Sequence, residues 1–218
     1  MAIKPILMNT EMVRAILDGR KTCARRVVKP QWEECPHCKY VHNEYIYDKL
    51  AENVYCARCG FPMTPGRRAP YQEHDILYVR ETVGIYTKNW LDDEYFMYKA
   101  DYPDDVTAYM NQYGTICDLP WWTPSIYMPK EAARIWLKVT DVRVERLNEI
   151  TDKGAEREGA QPDYPFDYDV DKWPNLEHFK KIWNSTIKKS DIDRYGWDAN
   201  PWVWVISFGR CEKPEVVK

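Results

Sequence analysis

The stretch Gly19-Arg20-Lys21-Thr22-Cys23-Ala24-Arg25-Arg26 sets four cations, Arg20, Lys21, Arg25 and Arg26, beside a hydroxyl and a thiol. That combination suits an anionic or electron-rich ligand. A lysine so placed can orient a carbonyl as a cation or, once desolvated, serve as a base. Alternate residues of a strand share a side, so Lys21 and Cys23 point the same way. Neighbouring cations would then lower the Cys23 thiol and make it a candidate nucleophile beside Thr22. The competing readings are a solvated basic turn and a cysteine that only packs.

A second constellation follows. Cys35-Pro36-His37-Cys38 and Cys56-Ala57-Arg58-Cys59-Gly60 are two C-x2-C turns separated by residues 39–55. Each turn can aim two sulfurs at one ion, Gly60 relieves the backbone after the second, and the separation suits a hairpin between them. The spacing predicts a four-thiolate zinc site on Cys35, Cys38, Cys56 and Cys59. Four sulfurs leave no coordination position for water, so the zinc is structural. His37 and His42 are the alternative ligands nearby, and a redox pair needs no partner pair at metal distance. Lys39, Arg58, Arg67 and Arg68 give this ribbon modest positive charge, so it either holds a loop together or touches nucleic acid.

These groups need elements to hold them. Residues 10–17 read as a short helix capped by Thr10, with Val13, Ile16 and Leu17 on one face and Gly19 in the left-handed closing position. The chain then turns into a strand over residues 22–28, which holds Lys21 at the end of a rigid element with its stem packed. Residues 75–82 read as a buried strand ending in Arg80-Glu81, and residues 94–99 as another. Residues 133–147 alternate apolar and polar, with a slip of phase at Thr140-Asp141 that suggests a bulge or bend. Thr151 caps a brief helix over residues 152–157, closed by Glu158-Gly159. Phe179, Ile182, Trp183 and Ile187 have helical spacing. The closing run, with Trp202, Trp204, Ile206 and Phe208 between Val203 and Val205, is apolar on both faces and belongs inside a sheet. Trp90, Tyr95, Tyr98, Tyr109 and Tyr113 either line a cleft or pack a loop over the core. Trp121-Trp122-Thr123-Pro124-Ser125 is an aromatic turn, and residues 161–174 read as an acidic, aromatic loop.

With 218 residues and 14% aromatic content, the chain can bury one substantial core plus a small module. No apolar run approaches membrane-span length, and the start does not read as a signal peptide, so a soluble, cytoplasmic protein is expected. A formal charge of -3 argues against coating nucleic acid by bulk electrostatics, though not against a local basic cleft. Seven cysteines, four of them in metal spacing, fit a reducing compartment.

The run from Lys4 to Thr22, with Gly19, Lys21 and Arg26 meeting a Gly-x-Lys-x-x-x-x-Arg signature, resembles the ASCH family, especially members encoded by bacteriophages and prophages. Further matches lie at residues 75–82, 125–147 and 200–206, so the resemblance covers most of the chain outside the cysteine-rich insert. It implies an α+β fold: a small PUA-like β-barrel with flanking short helices, over residues 1–29 and 70–212, carrying an inserted four-cysteine zinc ribbon over residues 30–69. It also implies a cleft that engages RNA or a modified nucleoside, with Arg20, Lys21, Arg25, Arg26, Arg80 and Glu81 as binding residues. Where such relatives have a tryptophan after Arg-Glu-Thr, this chain has Val83.

ASCH hydrolases of this kind remove the acetyl group from N4-acetylcytidine using a lysine, a threonine three residues later and a distant glutamate. The lysine matches Lys21 and the glutamate matches Glu158, but the threonine position is Ala24. Hydrolysis then needs another attacker: Thr22, Cys23 or a water held by Glu158. The expectation is therefore a protein that recognises RNA or a modified nucleoside, with an amidohydrolase of acylated pyrimidine nucleosides as the alternative. Lys21 and Glu158 can equally form a purely structural pair. A nuclease has basic residues here but no carboxylate motif for its metal.

Overall fold

The computed structural model describes residues 1–29, 31, 34–40, 45–49, 53–63, 69–87, 94–110, 116–161 and 174–215. His42, Arg67, Arg68, Trp90, Tyr113 and residues 162–173 of the expected loop lie outside them, as do the side chains of Tyr95 and Tyr109.

The fold is mixed α and β. Its strands are β1 (Ile3–Leu7), β2 (Cys23–Val27), β3 (Tyr45–Asp48), β4 (Asn53–Cys56), β5 (Ile76–Arg80), β6 (Val83–Thr87), β7 (Glu94–Tyr98), β8 (Ala108–Met110), β9 (Ile116–Asp118), β10 (Trp136–Arg146) and β11 (Trp202–Cys211). Its helices are α1 (Thr10–Leu17), α2 (Asp152–Arg157), α3 (Pro174–Thr186) and α4 (Ile192–Tyr195). One sheet has the order β1-β5-β10-β11-β2, and β3-β4, β6-β7 and β8-β9 form two-stranded ribbons. Among the described residues the main sheet stays open, with β1 and β2 at its edges, instead of closing into the expected barrel. Closure of so few strands demands long, strongly tilted ones. Here both edges have five residues, and Pro5 in the middle of β1 has no N–H to offer a further strand. No helix among the described residues is long and apolar enough to cross a membrane.

The chain divides into two compact units. One comprises Met1, Arg20–His74 and Val139–Gly209. Its core joins Leu147, Ile150, Ala155, Ala160, Phe179, Trp183, Val203 and Val205. Phe179 and Trp183 are one helical turn apart on α3, and burying such a ring contributes about 1.5–3 kcal/mol. Trp183 also donates its indole N–H to the Tyr195 carbonyl at 2.9 Å. β2 runs antiparallel to β11, with Arg25 opposite Val205. β11 is buried from Trp202 to Phe208, as its two-faced apolar pattern requires.

The other unit comprises Ala2–Gly19, Asp75–Lys138 and Arg210–Lys218. Its core includes Ile76, Val83, Met128, Ala132, Ala133 and Trp136. β1 runs parallel to β5, Ile3 opposite Ile76, and β5 antiparallel to β10, Tyr78 opposite Trp136. α1 is capped by Asn9 rather than Thr10: Met12 donates its N–H to Asn9 Oδ1 at 2.8 Å, and Thr10 is the first helical residue. Gly19 follows with φ +78°, the left-handed closing position its sequence suggests.

Candidate functional site

The site is built from β2, β10 and the end of α2. α2 starts where Thr151 accepts from Gly154 N–H at 3.1 Å. It stops at a Schellman closure: Ala160 N–H donates to the Ala155 carbonyl at 3.1 Å, Gly159 N–H donates to that of Glu156 at 2.8 Å, and Gly159 has φ +88°. Glu158 is thus the last residue before a fixed turn. Asp152 ties α2 to α3 by accepting from Asn175 Nδ2 at 2.9 Å and Leu176 N–H at 3.0 Å.

Lys21 lies against this turn. Its Nζ donates to both the Glu158 carbonyl and Glu158 Oε2, each at 2.7 Å. The two side chains are 1% and 5% exposed, so the pair sits in a low-dielectric interior where its attraction is large. Arg25 shares the carboxylate: Nη1 donates to Glu158 Oε1 at 3.1 Å, while Nε and Nη2 donate to Glu145 Oε1 at 3.1 and 2.5 Å. Burial alone would lower the Arg25 guanidinium, but Glu158 and Glu145 hold it above its ordinary range. The Phe179 ring lies 6.0 Å from its centre.

Strand alternation divides the basic signature. Lys21, Cys23 and Arg25 occupy alternate positions, and Arg25 Nη1 is 4.0 Å from Cys23 Sγ. Arg26 donates to the Arg25 carbonyl at 3.0 Å, and Arg20 to the Gly159 carbonyl at 3.1 Å. Thr22 Oγ1 accepts from Arg157 Nε at 3.2 Å. Cys23 departs from the lowered thiol expected beside cations. Burial pushes it up to about 11, Glu158 adds to the rise, and Arg25, Lys21 and Arg157 only partly oppose it. At neutral pH Cys23 is a thiol. Glu145, which the sequence reading did not single out, completes the charge balance: two buried cations face two carboxylates.

Arg80 and Glu81 belong to the other unit and have their own partners there. Arg80 Nε donates to the Met128 carbonyl at 2.9 Å and Nη2 donates to that of Ile126. Glu81, 1% exposed, takes both Arg134 Nε and Nη2 at 2.9 Å. Arg134 also stacks 3.9 Å over the Tyr98 ring. Tyr98, one of the candidate cleft aromatics, is thereby engaged. Val83 is buried and bridged to Thr123, so this is a packing position. Trp121 is 96% exposed.

The four cysteines converge in the first unit. Their sulfurs all lie within 4.8 Å of one another, with Cys35 to Cys59 and Cys38 to Cys56 at 3.7 Å. A tetrahedral zinc with bonds of about 2.3 Å separates its sulfurs by about 3.8 Å, so the donor set fits. The two knuckles are alike. Lys39 N–H donates to the Cys35 carbonyl and Gly60 N–H to the Cys56 carbonyl, both at 2.9 Å. Cys38 N–H reaches Cys35 Sγ at 3.5 Å and Cys59 N–H reaches Cys56 Sγ at 3.3 Å. Lys39 has φ +58° and Gly60 φ +68°, so the relief expected at Gly60 is required at Lys39 too. The expected hairpin between them is β3-β4. His37 stacks on Phe61 at 5.3 Å and is not in the cluster.

No protein-family model matches the chain, nor does any curated protein or solved structure.

Proposed function

We propose that this is an ASCH-type protein of the PUA-like class that recognises a modified nucleoside, free or within RNA, at Lys21 and Glu158. The observation that carries this reading is the buried Lys21–Glu158 pair with its 2.7 Å contacts. An ammonium has three donors, and Lys21 uses two on Glu158. The third can meet a carbonyl of a base or its acyl substituent, a bond to a charged group worth about 1.5–3 kcal/mol. Because Glu158 and Glu145 neutralise Lys21 and Arg25, the ligand group at this point is neutral, a nucleobase edge rather than a phosphate.

In the same reading the four thiolates hold one structural zinc, in a protein of the reducing cytoplasm. Four thiolates around a divalent cation carry two negative charges. Lys39 and Arg58 beside the knuckles offset these, which favours a ribbon that stabilises the fold over one that grips nucleic acid.

A second reading, hydrolysis of an N4-acetylcytidine-like amide, retains Lys21 and Glu158. Thr22 is engaged by Arg157 and Cys23 holds its proton. This favours a water beside Glu158 as attacker. Its oxygen adds to the acyl carbon, the C–N bond breaks, the water's protons pass to the departing amine and the carboxylate, and cytidine and acetate leave.

A panel of nucleosides and short oligonucleotides, incubated with the zinc-loaded protein and read by mass spectrometry, separates the two. Retention without turnover supports recognition, while deacetylation lost in Glu158→Gln supports hydrolysis. Neither retention nor turnover by the wild type rejects both.

A further inference from the structure

The carboxylate of Glu158 has two oxygens and two cations, one to each. Arg25 Nη1 takes Oε1 and Lys21 takes Oε2. What fixes Arg25 is Glu145 on β10, whose Oε1 receives both Nε and Nη2. A guanidinium is rigid and planar, so securing that edge sets the direction of Nη1. With Nη1 aimed, Glu158 cannot rotate its Oε2 away from Lys21 without losing a hydrogen bond in the interior.

We propose that Glu145 and Arg25 are a positioning pair that aims the Glu158 carboxylate at Lys21, so that Arg25 acts through Glu158 and not on the ligand. This rests on the reading of Lys21 and Glu158 as the ligand site.

The ion pairs continue outward in alternating charge. Glu145 Oε2 receives Arg143 at 3.2 Å, Arg143 meets Asp141 at 3.3 Å, and Asp141 meets Lys49 at 2.6 Å. Exposure decides where the positioning ends. The Lys21, Arg25 and Glu158 side chains are 1–5% exposed and Glu145 is 15%, whereas Arg143 and Lys49 reach 43% and 48%. Exposed pairs contribute about 0–1 kcal/mol and are screened by salt. The inner four residues therefore position the carboxylate, and the outer ones decorate the chain.

The test is the acetylation rate of Lys21 by a water-soluble N-hydroxysuccinimide acetate. It is read by peptide mass spectrometry on the folded, full-length protein, with Lys99 of the other unit as internal reference. The wild type labels slowly at Lys21. Glu145→Gln and Arg25→Lys each raise the Lys21 rate relative to Lys99 by about fivefold or more, the size expected for loss of one coupled contact. Glu145→Asp, which keeps the charge, restores slow labelling, and Lys49→Met stays within about twofold of wild type. If Glu145→Gln unfolds, Lys21 and Lys99 label together and Arg25→Lys decides alone.

Unchanged labelling in the folded variants overturns the proposal. So does equally fast labelling of Gln and Asp at position 145, which would assign the effect to packing. Labelling needs no ligand, so failure of the nucleoside reading shows separately, as a wild type that retains no nucleoside while the labelling differences persist.

Discussion

Lys21 donates to the backbone carbonyl and to the side-chain carboxylate of the same residue, Glu158, which lies 137 positions along the chain. The backbone contact anchors the ammonium at one point, and the carboxylate supplies a second anchor and the countercharge. Glu158 also neutralises Arg25, so the two partners are unequal. Removing one member of a buried pair costs about 3–5 kcal/mol. Glu158→Gln leaves two cations short of charge and should destabilise more than Lys21→Met in urea unfolding. Equal effects would show that Arg25 relies on Glu145 alone.

The thiol of Cys23 provides a pH signature. In the fold it keeps its proton up to about 11, whereas an exposed cysteine releases it near 9.0. The unfolded chain binds fewer protons between those values, so stability falls as pH rises from about 9 to about 11, by on the order of 3 kcal/mol. Below pH 9 the contribution is fully present. Comparing unfolding of wild type and Cys23→Ala across this range isolates it, since only the wild type should show this part of the slope. Iodoacetamide at pH 8 should modify Cys23 slowly. Alkylation within minutes would reveal a thiolate and reinstate Cys23 as a nucleophile.

The ribbon makes a separate demand. Chelation should release about one zinc per chain by the four-ligand count, with the freed thiols becoming titratable. Cys38→Ser should weaken metal retention and disturb the Tyr47 contact with Trp204, whose rings lie 5.2 Å apart. Protein purified in the presence of zinc but holding none, with all four thiols reactive, would contradict the metal reading.

Gly84 on β6 is fixed by space. A Cβ there would stand 2.2 Å from Pro120 Cγ and 2.7 Å from its Cβ. Gly84→Ala should therefore lower stability by about 1–3 kcal/mol, the cost of overpacking, measured as a drop in melting temperature. An unchanged melting temperature would mean that the segment around Pro120 yields freely.

How much of this was legible in the sequence depended on whether the signal was local. C-x2-C spacing sufficed to bring four cysteines together, and Thr151, Glu158 and Gly159 marked both ends of α2. The phase slip at Thr140-Asp141 reappears in β10, where the buried positions pass from Val139 to Val142. Glu145 escaped notice because it is one charge among several on an alternating strand, and only the β2 and β10 placement selects it for Arg25. A run of like charges hides which member meets a carboxylate: Arg25 and Arg26 stand together among the expected binding residues, and only the structure assigns Glu158 and Glu145 to Arg25. β1 carried no strand signal of its own, since Pro5 interrupts it and its pairing is with β5, over 70 residues away. The direction of the Cys23 shift needed burial, which outweighs the neighbouring cations and which spacing cannot report.

Equilibrium binding of N4-acetylcytidine and cytidine to zinc-loaded wild type and to Lys21→Met, with folding of both verified by circular dichroism, tests the central claim most directly. The wild type should bind the acetylated nucleoside and the folded variant should lose at least about tenfold in affinity, the equivalent of about 1.4 kcal/mol for a charged hydrogen bond. Equal affinity in the two proteins, or no binding of either nucleoside by the wild type, would contradict it.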